Sequence, residues 1–293
     1  MLKTVKRRIA ELGPHFDPAT LETTFALYRS LLPQTPEGVK VQLDIPYAPE
    51  TRQRLDLYAP DKAAGLPVLL YVPGGGFVGG DKRSEDGFYA NIGYDFAGRG
   101  FLVLVMNYRL APRHPWPAGG EDVGLAVSWA RKHAAAHGGD PDRIAVFGQS
   151  AGATHVVTWL FDPSLEGAKP ISASILASGT YRVAGDKLPP NVTAYFGSDP
   201  SLYEARSPIT HIRRTDVSLL LTVCEFDPPH LASPTFELAA KLTGANGRPP
   251  QLRWLEGHNH VSNVLSIGTA DDVPANVVAN FLREALTGSV HQT

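Results

Sequence analysis

Apolar positions run first at helical spacing and then at strand spacing. Residues 3–12 and 18–32, the latter with Leu21, Phe25, Tyr28 and Leu32 on one face, predict two N-terminal helices, and Asp17 offers an N-cap before Pro18. Beyond Pro36 the period changes. Residues 39–45 and 54–58 alternate as half-buried strands do, which suits an antiparallel pair at a sheet edge. Unalternating apolar runs of strand length follow at 68–72, 102–106, 144–147, 173–177, 219–223 and 252–255. Such runs suit strands buried on both faces, as in a parallel sheet covered by helices.

Helical candidates at 89–97, 121–137, 151–160, 234–243 and 274–286 separate those runs. Eight strands, the last six joined through helices or loops, predict one doubly wound α/β domain over residues 1–293. The Pro-rich stretch 181–208 fits the alternation poorly and is expected to be an inserted cap or loop. There are no repeats, low-complexity tracts or interdomain linker.

Charge narrows the partners. Lys and Arg total 27 against 29 for Asp and Glu, so no excess charge points to nucleic acid or an anionic membrane surface. A small neutral or mildly charged molecule is the expected partner, and the sequence leaves room for a homodimer. The single cysteine, Cys224, excludes an intrachain disulfide; its apolar neighbours predict a buried, inert thiol. The first residues, MLKTVKRRIAELG, lack the apolar core and small-residue cleavage site of a signal peptide, and no run of about 18 apolar residues exists to span a bilayer. A cytoplasmic protein is expected.

The chemistry centres on Gly148-Gln149-Ser150-Ala151-Gly152, placed between the apolar run 144–147 and a helical pattern. A serine that projects above a sheet from a strand-to-helix turn needs glycines on both sides, because side chains there would collide. The pentapeptide alone is weak evidence; its placement strengthens it. A serine is a poor nucleophile unless a base takes its proton, and the base needs an acid to hold its tautomer. Asp227 lies just past the run 219–223 and His260 just past 252–255, where strands release the chain, and the order Ser, Asp, His is the one expected on such a sheet. Glu225 is the alternative acid, and His258 competes with His260 on spacing. A metal pair at His258 and His260 lacks companion ligands, so no metal is expected.

A tetrahedral intermediate also needs donors for its oxyanion. Pro73-Gly74-Gly75-Gly76-Phe77 follows the run 68–72 and supplies a loop of free backbone N–H groups. The same stretch reads formally as G-x-G-x-x-G, but it continues as loop rather than opening a helix, and no G-K-[ST] follows. No nucleotide or other cofactor is expected.

With these residues in place, the chain resembles the hormone-sensitive-lipase branch (family IV) of the α/β-hydrolases. The resemblance rests on Pro73-Gly74-Gly75-Gly76, the segment Tyr108-Arg109-Leu110-Ala111-Pro112-Arg113-His114-Pro115-Trp116-Pro117-Ala118, the Gly148 to Gly152 elbow, Asp227-Pro228 and Gly257-His258-Asn259-His260, all in the family's order. It implies an α/β-hydrolase fold, with an eight-stranded, mostly parallel sheet flanked by helices and a helical cap, expected in residues 1–35. It implies Ser150, Asp227 and His260 as catalytic residues and the N–H groups of Gly75, Gly76 and Ala151 as the oxyanion hole. It selects His260 over His258 and makes His114 structural. Phe77, Trp116, Tyr195 and Phe196 are candidates for an apolar substrate-binding wall, against plain packing. Two positions depart from the family: Pro73 replaces a histidine that braces the loop, and Gln149 stands where Asp is usual.

The expected activity is carboxylester hydrolysis on small neutral esters with short or medium acyl chains. An amidase or arylformamidase would share the same catalytic residues, and a ligand-binding protein that kept the fold and lost the chemistry is the rival from another class.

Overall fold

A computed structural model describes residues 2–32, 37–165 and 167–287; the part of the expected cap at 33–35 lies outside them. Two helices come first, α1 (Leu2–Leu12) and α2 (Pro18–Arg29). Asp17 caps α2 by accepting from Thr20 N at 2.8 Å, as its position before Pro18 predicts.

The strands β1 (Val39–Pro46), β2 (Arg54–Pro60) and β3 (Leu66–Val72) follow, then α3 (Ala90–Gly98), β4 (Leu102–Met106) and α4 (Ala118–His133). Next come β5 (Gly139–Gln149), α5 (Ala151–Phe161) and β6 (Ala173–Ala177). The Pro-rich stretch holds two short helices, α6 (Pro190–Phe196) and α7 (Tyr203–Arg206). The chain closes with β7 (Ser218–Phe226), α8 (Pro229–Asn246), β8 (Gln251–Asn259), α9 (Ser262–Leu265) and α10 (Val273–Thr287).

One eight-stranded sheet results, in the order β1-β2-β4-β3-β5-β6-β7-β8. The pairs β1–β2 and β2–β4 are antiparallel and all others parallel. The alternating segments thus lie at one edge, and the unalternating runs build the parallel body. Side-chain alternation explains why those runs must be apolar throughout: in β3, Val68, Leu70 and Val72 enter a core with Val123 and Val127 of α4 and Val156 and Leu160 of α5. Leu69 and Tyr71 enter the opposite core with Phe96 of α3 and Phe281 and Leu282 of α10.

Several boundaries differ from the sequence reading, among them the start of β5 at Gly139 rather than 144, the start of α8 and the end of β8. Helix α8 begins at Pro229, ahead of the expected residue 234, with Pro234 inside it; its Pro-Pro start supplies prolines where N–H groups have no helical partner. Strand β8 runs on to Asn259, paired with Phe226, although its last residues are polar. That extension carries the chain to the sheet edge where the site lies.

Candidate active site

Four neighbouring parallel strands end side by side, and each releases one polar side chain at its carboxyl end: Ser150 after β5, Ser178 after β6, Asp227 after β7 and His260 after β8. His260 Nε2 lies 2.9 Å from Ser150 Oγ, and His260 Nδ1 lies 2.9 Å from Asp227 Oδ1. All three residues predicted from the sequence therefore meet in one hydrogen-bonded line. Asp227 and His260 are 5% and 1% exposed, so the pair sits out of bulk water.

The elbow geometry follows from its glycines. Ser150 has φ 54 and ψ −122, a conformation L-residues rarely adopt and one costing about 1–3 kcal/mol. A Cβ at Gly148 would lie 2.7 Å from the Ala153 backbone, and one at Gly152 would lie 2.1 Å from Val72 O. Only glycine at both positions lets strand, turn and helix approach this closely.

The glycine loop after β3 lies beside the elbow. Gly75 (φ 141) and Gly76 (φ 59) take left-handed conformations, and a Cβ at Gly75 would meet Gly79 O at 2.1 Å. The loop is pinned by Gly79 N to Gly75 O (3.0 Å) and by Ala111 N to Phe77 O (3.0 Å), bonds that leave the N–H groups of Gly75, Gly76 and Ala151 unused. Where Pro73 removes the family's bracing histidine, other side chains hold the loop. Tyr108 donates its hydroxyl to Pro73 O (3.1 Å), and Asn191 of α6 donates to Gly76 O (3.1 Å).

Gln149, the second departure, is 2% exposed and has a definite place. Its Nε2 donates to His260 O at 2.9 Å, and its Oε1 lies against Gly74, only 2.3 Å from where a Cβ would be. One side chain thus hydrogen-bonds the histidine loop and packs against the glycine loop.

Ser178 was not singled out by the sequence. Its Oγ donates to Asp227 Oδ2 at 2.6 Å, its residue is fully buried, and its φ is 47. Cys224 N donates to the same oxygen at 2.7 Å. The carboxylate therefore has His260 on one oxygen and two donors on the other, which fixes its rotation. Glu225, the alternative acid, faces away and accepts from Gly257 N at 2.8 Å. The Cys224 thiol is buried, and burial together with the Asp227 charge pushes its pKa well up, against any nucleophilic role.

His258 points elsewhere. Its Nδ1 is 3.2 Å from Ser262 Oγ and its Nε2 3.7 Å from Asp271 Oδ1, and burial pushes its pKa down to about 4 despite the Asp271 charge. His155 on α5, also unpredicted, is fully buried, with Nδ1 3.2 Å from Tyr195 Oη, and burial lowers its pKa to about 3.

The expected apolar wall is a packed stack. Phe77, at φ 71, lies face to face with Tyr195 at 4.7 Å between ring centroids and edge-on to Phe196 at 5.4 Å. Phe77 is 2% exposed and Tyr195 and Phe196 are fully buried, so these three rings pack on one another as core rather than forming an open wall. Trp116 is half-buried beside them, its backbone N–H donating to Tyr195 O at 2.8 Å. A separate groove of about 770 Å³, lined by Gln53, Arg109, Trp159 and Lys169 among others, shares no residue with this site.

The N-terminal helices cover the histidine loop. Val5, Ile9 and Tyr28 pack with Val261 and Leu265, Thr24 Oγ1 accepts from Asn259 Nδ2 (2.8 Å), and Tyr28 donates to Asp271 (2.9 Å). Among the described residues no group of three His, Cys, Asp or Glu side chains could hold a metal ion, and no helix is long and apolar enough to cross a membrane.

Comparison with known proteins agrees with this architecture. The chain is similar to esterase B of Lactobacillus rhamnosis (TM-score 0.72, 19% identity, 98% of this chain and 97% of that one) and to an esterase of Pyrobaculum calidifontis (TM-score 0.70, 21% identity, 98% of each chain). These likenesses show the fold. In sequence it is 31% identical over 231 residues to esterase LipQ of Mycobacterium tuberculosis, covering 69% of this chain and 53% of LipQ. It is 45% identical over 95 residues to esterase LipI of the same organism, covering 32% and 28%. The chain thus spans about half or less of the length of these relatives. A BD-FAE family model matches residues 55–159, and the model of the prolyl oligopeptidase family matches residues 118–287, more than half of the chain. With its sheet order and nucleophile turn, the chain belongs to the prolyl oligopeptidase family, within the α/β-hydrolase fold expected from its motifs.

Proposed function

We propose that the protein is a serine carboxylesterase that hydrolyses small neutral esters with short or medium acyl chains. The observation that carries the reading is the unbroken line Asp227–His260–Ser150, with 2.9 Å at each step, beside a glycine loop in which the N–H groups of Gly75 and Gly76 meet no acceptor among the described residues. The esterase names of the M. tuberculosis relatives point the same way.

On this reading His260 takes the Ser150 proton as Oγ attacks the ester carbonyl, and Asp227 stabilises the imidazolium through Nδ1–H. The carbonyl oxygen becomes an oxyanion held by the N–H groups of Gly75, Gly76 and Ala151. His260 then passes its proton to the leaving alcohol, which departs and leaves an acyl-enzyme on Ser150. Water, deprotonated by the same imidazole, attacks the acyl carbon and returns the serine. The part-exposed Phe16 ring beside His260 favours neutral substrates over charged ones.

Ser150→Ala, assayed with a panel of aryl and alkyl esters, is the test. Loss of the nucleophile lowers kcat by about 10⁶-fold. A folded variant that keeps a few per cent of wild-type rate contradicts the assignment.

A further inference from the structure

The turn between α1 and α2 places one apolar ring against the imidazole of His260. Phe16 lies edge-on to it, with 4.7 Å between ring centroids and 78° between planes. His260 itself is 1% exposed, whereas Phe16 is 42% exposed, so part of its ring is open to a ligand.

The turn is held from both sides. Gly13 leaves α1 at φ 65, and Asp17 caps α2. The helices are fixed to the histidine loop through Thr24 and Asn259, through Tyr28 and Asp271, and through Lys6, whose Nζ is 3.4 Å from Asp271. The turn that carries Phe16 is thus anchored, and part of its ring stands open beside the imidazole.

Position relative to the proton decides what that face meets. His260 Nε2 must come within hydrogen-bond reach of the oxygen that leaves with the alcohol, so the alcohol moiety lies beside the imidazole during acylation. The acyl part lies toward the glycine loop, where its carbonyl oxygen is held. Taking the esterase reading as its basis, we propose that Phe16 forms the apolar wall of the alcohol subsite and favours esters whose alcohol carries a flat apolar group, such as an aryl ring, over esters of small alkyl alcohols. The occupied subsite then buries the exposed ring face against the substrate, and aromatic pairing gives the preference its size, about 3- to 10-fold.

The experiment compares 1-naphthyl butyrate with ethyl butyrate for the wild type, Phe16→Ala and Phe16→Leu. Both esters deliver the same acyl group, and dividing each variant by wild type cancels the different reactivity of the two alcohols. The ratio of kcat/KM for naphthyl over ethyl ester falls about 3- to 10-fold in Phe16→Ala and less in Phe16→Leu, which keeps apolar bulk. With the alcohol held constant as 4-nitrophenol, the relative rates on acetate, butyrate and hexanoate stay as in wild type. An unchanged naphthyl-to-ethyl ratio in active variants, or a change in acyl-chain ranking instead, overturns the inference and leaves the esterase reading standing. A wild-type protein that hydrolyses none of these esters overturns both.

Discussion

Ser178 and Asp227 meet at 2.6 Å, hydroxyl to carboxylate, on the oxygen that His260 does not use. Cys224 N donates to the same oxygen, so losing the Ser178 hydroxyl leaves that side of the carboxylate held by one donor instead of two. Ser178 is therefore a positioning residue for the proposed acid. Ser178→Ala lowers kcat about 10- to 100-fold, the worth of a hydrogen bond to a charged group, with KM little changed. Ser178→Gly relieves the positive φ without restoring the hydroxyl, so it separates the two roles: a rate near wild type for the glycine variant assigns Ser178 to backbone geometry alone.

Gln149 links three parts of the site through one amide. Gln149→Leu keeps the approximate volume and leaves His260 O unsatisfied, a cost of about 1–3 kcal/mol. The melting temperature falls by about 2–8 °C for a chain of this size, and kcat falls as the imidazole shifts. Thermal unfolding and steady-state kinetics on the same preparation check both; an unaltered Tm removes the assigned hydrogen bond from the account.

The two neighbouring histidines are assigned different work. His260→Ala lowers kcat by about 10⁴-fold or more, whereas His258→Asn keeps activity within about tenfold of wild type and shows its effect in stability, since His258 bonds Ser262 and faces Asp271. The reverse ranking in folded variants moves the base to His258.

Acid weakens the fold through His155 and His258. Burial lowers their pKa values to about 3 and about 4, against about 6.5 in the unfolded chain. A depressed histidine pKa means that the unfolded state binds more protons below pH about 6.5, so the stability from each neutral ring is full above that pH. It is lost progressively as pH falls toward the folded values. Imidazole titration by NMR checks this directly: both rings stay neutral at pH 5, and a ring that titrates near 6.5 contradicts its assigned burial.

Much of the site was legible because its signals are local. The elbow's glycines, the strand before it and the helix after it lie within a short stretch, and Asp227 and His260 each follow an apolar run that marks a strand end. Ser178 also follows such a run, but a lone serine carries no pattern, and its partner is 49 residues away. The departure at Gln149 was visible and its purpose was not, because both things it touches come from other segments. Phe16 gave no signal: its ring is apolar like many others, and only the packing of α1 and α2 on the histidine loop brings it to His260. The Pro-rich stretch broke the α/β pattern in the sequence, and in the structure it supplies Asn191 and Tyr195 to the loop and its aromatic support.

On the proposed reading Ser150 becomes covalently acylated in each turnover, and a serine-directed phosphonate arrests that step. Incubation with a 4-nitrophenyl alkylphosphonate ester displaces nitrophenolate and leaves one phosphonyl group on the attacking oxygen. The account predicts a single addition by intact mass, mapped by peptide sequencing to Ser150, with loss of ester hydrolysis in proportion to labelling and no addition to Ser150→Ala. Labelling of another residue, or an unlabelled and fully folded wild-type protein, contradicts it.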